Sequence, residues 1–268
     1  MKSIVKGMVK KWIIPRVTSR DYNFNVKEGD TFIISYPRSG NTWMRFLLAN
    51  LLLEEKEIDF NNVEEIIVDI YKSSDLEIVR KKYDYRIFKS HSFFRPKFSK
   101  GKVVYLVRDV RDVAISYFYY SKKTGGGFSD FDSFLTDFLE GELGNFGNWA
   151  ENVGSWLGAK EGDEDFLLVK YEDMLEDTEG EVRRVSRFLG LESSTKQIKE
   201  AVQDSKFDSM KEKEQKNKKS APEFRNTSED IDFVRKGKTN QWKSFFSDQH
   251  IESIDNSFGH LLEKLGYK

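Results

Sequence analysis

The chain reads as one α/β domain with a central parallel sheet flanked by helices, and three stretches carry that reading. Phe32, Ile33 and Ile34 form a short β-branched run that ends at Pro37, which cannot continue a central strand. Residues 103–107 are continuously apolar, as a strand covered on both faces should be. Phe166, Leu167, Leu168 and Val169 repeat that pattern. The first two runs lead through a polar turn into apolar residues at helical spacing, from Trp43 to Leu53 and at Val113, Ala114, Tyr117 and Phe118. Strands that alternate with helices pair in parallel.

Composition sets the bounds. The length, 268 residues, suits a single domain spanning 1–268, and 22 phenylalanines supply a core despite 33% charged residues. The net charge of -1 argues against nucleic acid as a partner. With no cysteine, neither a disulfide nor a thiolate metal site can form, and three scattered histidines make no metal site expected. No 18-residue apolar run or signal-peptide core is present, so the expected compartment is the cytoplasm.

Taken in order, residues 1–20 place Ile4, Val5, Met8, Trp12 and Ile13 on one helical face and lysines largely on the other. Such an amphipathic helix packs on its own domain or lies on an anionic membrane, and packing is the reading adopted. The turn after the first strand, Arg38, Ser39, Gly40, Asn41 and Thr42, opens the helix at Trp43. Strand, glycine turn and helix aim free backbone N–H groups and a helix dipole at an anion. Arg38 adds fixed charge, and Ser39, Asn41 and Thr42 add donors. The triphosphate version of this loop needs Gly-Lys-Ser/Thr, whereas Gly40 is followed by Asn41.

A third strand covers residues 86–90 and ends at His91; helical spacing marks 61–82, 130–141, 145–159, 178–190 and 248–265. Arg108 stands at a strand's C-terminal end, with Ser116 about two turns into the next helix, so both can grip one phosphate. The plainer reading makes Arg108-Asp109 and Arg111-Asp112 surface ion pairs. Residues 121–129 include three consecutive glycines and should be mobile. Residues 211–230 have almost no apolar side chains before Phe224, and are expected to be a flexible segment.

Six motifs in order carry a resemblance. Residues 36–43 resemble the Y-P-[KR]-S-G-x-T-W loop of sulfotransferases that use 3′-phosphoadenosine 5′-phosphosulfate (PAPS). Lys89-Ser90-His91 resembles their K-[TS]-H motif, and residues 107–117 resemble R-[ND]-P-x-D-V-A-x-S-Y, with Val110 replacing the proline. Residues 171–174 look like Y-E-D-[ML], and Phe207 to Met210 is similar to the segment that stacks on adenine. Phe233 to Lys243 resembles F-x-R-K-G-x-x-x-x-W-K.

The resemblance implies a P-loop-kinase-like sulfotransferase fold and PAPS as co-substrate without a metal. It implies that residues 38–43 (Arg38 to Trp43) hold the 5′-phosphosulfate end. Arg108, Ser116, Arg235, Lys236 and Gly237 would hold the 3′-phosphate, and Tyr171, Phe207 and Met210 the adenine. His91 would be the general base, titrating near neutrality, with Lys89 and Arg38 at the transferring group. Arg38 stands where animal cytosolic members commonly carry lysine. The acceptor is a small-molecule or glycan hydroxyl, and 211–230 a lid that orders when nucleotide binds. A short dimer pattern, K-x-x-x-T-V-x-x-x-E, keeps Lys243 and Glu252 but has Ser247-Asp248 at its centre, so that interface is expected not to form. A P-loop-like kinase and a non-catalytic nucleotide-binding module are the alternatives.

Overall fold

In the computed structural model, which describes residues 25–53, 56–71 and 86–268, five parallel strands stand in the order β2-β3-β1-β4-β5. They are β1 (Thr31–Ser35), β2 (Ile67–Asp69), β3 (Ile87–Ser90), β4 (Lys102–Val107) and β5 (Phe166–Lys170). The N-terminal 1–20 segment lies outside the described residues.

Alternation along each strand feeds two cores. Val103, Tyr105 and Val107 of β4 face one side with Phe32 and Ile34; Val104 and Leu106 face the other with Ile33 and Ile87. The first side is covered by α3 (Val110–Lys123), α4 (Phe131–Glu140), α5 (Trp149–Lys160) and α11 (Asp248–Lys264). The second is covered by α1 (Asn41–Leu52), α2 (Val63–Ile66), α6 (Tyr171–Glu176), α7 (Thr178–Leu189), α8 (Thr195–Asp204) and α9 (Phe207–Asn217). A single turn, α10 (Trp242–Phe245), precedes α11. Both faces are buried, which is why these strands read as unbroken apolar runs.

Two stretches differ from their sequence reading. Of the helical pattern at 61–82, the described part, to residue 71, holds α2 before the chain turns into β2, a three-residue edge strand, and the rest lies outside the described residues. The β-branched run Ile66-Ile67-Val68 at the junction favours strand, and β2 begins at Ile67 once β3 is available to pair. The 211–230 stretch, expected to bury little, begins inside α9, where Lys213, Glu214 and Asn217 are buried through polar contacts. Asn217 caps the backbone N–H of Phe60 and reaches Asp59; Lys213 donates to the Asp204 carbonyl. Hydrogen bonds substitute here for the missing apolar surface.

Candidate active site

The loops leaving the C-terminal ends of all five strands converge on one cavity of about 540 Å³. That edge is where open α/β sheets bind ligands. Every site residue named from sequence lines it except Ser39, which is fully buried beside it with no partner for its Oγ.

The turn after β1 is held in unusual backbone. Arg38 has φ 68 and Gly40 φ 99. A non-glycine residue in the left-handed region costs energy, and such strain concentrates where ligands are clamped. A Cβ on Gly40 would meet the Tyr171 ring at 2.7 Å, so glycine is required on steric grounds as well. Asn41, read as a donor to the anion, is instead spent internally. Its Nδ2 donates to the Ile33 carbonyl and to Ser35 Oγ, fastening the start of α1 to β1.

Arg38 turns toward α3. Its Nε donates to Ser116 Oγ at 3.2 Å, and its guanidinium packs over Tyr120 and Phe233 at 4.7 and 4.8 Å. Burial, followed by Arg108 and Arg235, lowers its pKa to about 10, which leaves it charged at neutral pH. Arg108 lies over the Tyr171 ring at 4.3 Å and donates to the Lys238 carbonyl, while its buried Nε has no partner. The surface-ion-pair reading of this run does not hold. Arg111 pairs with Asp109 at 2.6 Å, both buried, which leaves Arg108 directed into the cavity. Arg38, Arg108, Arg235 and Lys236 thus gather around one space, and Arg38 stands with them rather than beside Lys89.

Next to this cluster, Trp43 meets Tyr171 edge-on, with ring centroids 5.8 Å apart, and its Nε1 donates to the Ser205 carbonyl. Phe207 is an exposed large apolar side chain, and a Cβ on Gly237 would strike its ring at 2.6 Å. Met210 is buried beneath. These flat walls and the glycine gap fit a planar ring adjoining an anion.

Lys89 and His91 lie in the same cavity beyond the β1 turn. The Lys89 ammonium donates to the Asp69 carboxylate at 2.8 Å, and burial of that carboxylate is more than offset by the lysine, so its pKa is lowered. His91 Nδ1 is 2.7 Å from the Ser35 carbonyl. A carbonyl only accepts, so Nδ1 carries the proton and Nε2 presents its lone pair. Burial, then the Lys89 ammonium, lowers the His91 pKa from 6.5 to about 3 against the opposing Ser35 and Asp69. The expectation of titration near neutrality is therefore overturned: this imidazole is neutral at pH 7. Phe146 stands edge-on to it at 5.5 Å, and Tyr71 edge-on to Phe146 at 5.8 Å. Asp69 and Tyr71 escaped sequence reading because they end and follow the short strand hidden in a helical pattern; the β-branched triplet was its available signal.

The chain has relatives among known proteins. The sulfotransferase domain family matches residues 28–266. The chain belongs to the sulfotransferase family. Human sulfotransferase 2B1 is 33% identical over 250 residues, covering 87% of the chain and 66% of that relative's length. The chain thus spans just under two thirds of that human protein. The 3-beta-hydroxysteroid sulfotransferase of Cavia porcellus is 30% identical over 88% of the chain and 84% of its own length. In fold, the chain is similar to retinol dehydratase in a complex with retinol and PAP (TM-score 0.75, 24% identity, 90% and 83% covered). It is also similar to mouse sulfotransferase SULT7A1 complexed with PAP (TM-score 0.71, 22% identity, 89% and 85% covered). Among the described residues, no helix is long and apolar enough to cross a membrane.

Proposed function

We propose that this sulfotransferase moves a sulfuryl group from PAPS to the hydroxyl of an apolar, ring-containing alcohol. The observation that carries the reading is one cavity in which four cations surround a space walled by Trp43, Tyr171 and Phe207, while a neutral imidazole stands at its other side. Two features support the donor: the unpartnered Ser39 Oγ and Arg108 Nε, and the two gaps that a Cβ on Gly40 or Gly237 would fill. When bound, PAPS supplies an activated sulfuryl group whose departure leaves charge on a phosphate.

The chain's own residues do the rest. Backbone N–H groups of the β1 turn and the α1 dipole face the 5′ end, while Arg108, Ser116, Arg235 and Lys236 grip the 3′-phosphate. Arg38, parked on Ser116, is placed to share its charge with the 5′ end. Lys89 stabilises charge on the transferring oxygens, and His91 Nε2 takes the acceptor proton. Phe146 and Tyr71 beside His91 give the acceptor an apolar wall, which agrees with relatives named for hydroxysteroids.

Calorimetry tests this directly. 3′-Phosphoadenosine 5′-phosphate should bind at least tenfold tighter than ATP, and labelled sulfate should pass from PAPS to a 3-hydroxysteroid in preference to a sugar. Tighter binding of ATP, with phosphate transfer, would restore the kinase alternative. Oligomeric state follows from the C-terminal pattern. Ser247 caps α11 and Asp248 is an exposed acid in its first turn. Burying that carboxylate against a symmetry mate is costly, so sedimentation should show no dimer through this segment. A dimer that Asp248→Arg dissociates would overturn that expectation.

A further inference from the structure

Residues 225–241 carry Arg235, Lys236 and Gly237 yet contain no helix or strand, so their backbone has to be held by something else. Three buried charged side chains do it. On α9, Glu214 is fully buried and accepts from the backbone N–H of Phe233 at 2.6 Å and of Val234 at 2.8 Å. On α3, Asp112 is fully buried and accepts from the backbone N–H groups of Asn240, Gln241 and Trp242 at 2.7, 2.9 and 3.2 Å. At the end of α3, Lys123 donates to the carbonyls of Ser228 and Ile231. Carboxylates meet amides, and an ammonium meets carbonyls.

Resting on the PAPS reading, we propose that Glu214 and Asp112 are positioning residues for the 3′-phosphate. Each fixes one side of the Arg235-Lys236-Gly237 turn, so its cations face the cavity before any ligand arrives. Neither carboxylate lines the cavity, and among the described residues neither pairs with a cationic side chain at hydrogen-bond distance. Both spend their lone pairs on peptide N–H groups that no helix or strand satisfies. Asp112 serves the cluster in a second way. Its charge offsets the mutual repulsion of Arg108 and Arg235, each of which it faces. Preorganising a clamp lowers the ordering cost of binding, so the effect belongs in nucleotide affinity and not in the chemical step.

Glu214→Gln keeps the size of the side chain but turns an N–H against a backbone N–H. The expected result is about a tenfold rise in the Kd of 3′-phosphoadenosine 5′-phosphate and in the KM of PAPS, with kcat at saturation unchanged. Adenosine 5′-phosphosulfate, which lacks the 3′-phosphate, should bind the variant as it binds wild type. The loss should also disappear in an Arg235→Ala, Lys236→Ala background, because the turn then has nothing to present. If Glu214→Gln fails to fold, Asp112→Asn is measured in the same cycle. Equal losses for both nucleotides, or a full loss persisting without Arg235 and Lys236, would make these carboxylates merely structural and overturn the proposal. Wild-type protein that ignores 3′-phosphoadenosine 5′-phosphate would instead sink the PAPS reading itself.

Discussion

His91→Ala is expected to lower kcat by about 10²–10⁴-fold, the range for loss of a positioned general base. The geometry gives the reason. With Nδ1–H committed to the Ser35 carbonyl, the ring cannot rotate without breaking a 2.7 Å hydrogen bond, and Nε2 stays unprotonated. Affinity for 3′-phosphoadenosine 5′-phosphate should be nearly unchanged, since the phosphate-facing cations lie around Arg108 and Arg235. Single-turnover rates and calorimetry on the same preparation check both halves. Full turnover in the variant would move the base to another group.

The same imidazole sets two pH dependences. Its folded pKa of about 3 lies below the ordinary 6.5, so the unfolded chain takes up this proton first as pH falls. The associated stability is therefore complete above 6.5 and is lost progressively as pH drops toward about 3. His91→Gln should flatten the unfolding free energy across that window in denaturant titrations. A slope identical to that of wild type would show that the buried neutral ring is not its source. For turnover, the base form is present throughout the neutral range. The profile of kcat should be level from about pH 6 upward, with its acid limb below about pH 5. A rise centred near 6.5 would mean that Lys89 and burial do not depress the ring as the geometry requires.

What was legible in the sequence follows from what each segment must satisfy locally. β1 and β4 are covered on both faces, so their apolar runs stand out, and the turn after β1 shows itself because Pro37 and Gly40 have few other uses. The site residues at these strand ends came with them. β2 was hidden because three residues on a sheet edge cannot outweigh a helical spacing around them, and Asp69 and Tyr71 were lost with it. Glu214 and Asp112 were illegible for a different reason. Their partners are backbone N–H groups 19 and 128 residues away, and no side-chain pattern announces those. The His91 pKa likewise depends first on burial in the folded cavity, which no local pattern announces, while its tautomer is set by a carbonyl 56 residues distant in β1. Polar residues in α9 read as flexible for the same cause, since burial by hydrogen bonding leaves no apolar trace.

Arg108→Ala is expected to weaken binding of 3′-phosphoadenosine 5′-phosphate by about 1.5–3 kcal/mol, the worth of charge-assisted hydrogen bonds, or roughly 10- to 150-fold. Arg108 is the cation most prepared for an anion. It is buried, its Nε is unpartnered, and its guanidinium lies 4.3 Å over the Tyr171 ring while one Nη reaches the Lys238 carbonyl. An unmet buried donor is costly, and an arriving phosphate oxygen would remove that cost. The affinity of adenosine 5′-phosphosulfate should barely change, because it offers no 3′-phosphate to that donor. Arg108→Lys separates charge from shape: it restores the positive charge but not the planar fork or the stacking, so it should recover only part of the loss. Calorimetry with both nucleotides on all three proteins decides the matter. Equal weakening of the two nucleotides in Arg108→Ala would mean that Arg108 supports the cavity wall and the Lys238 backbone, and that the 3′-phosphate is held elsewhere.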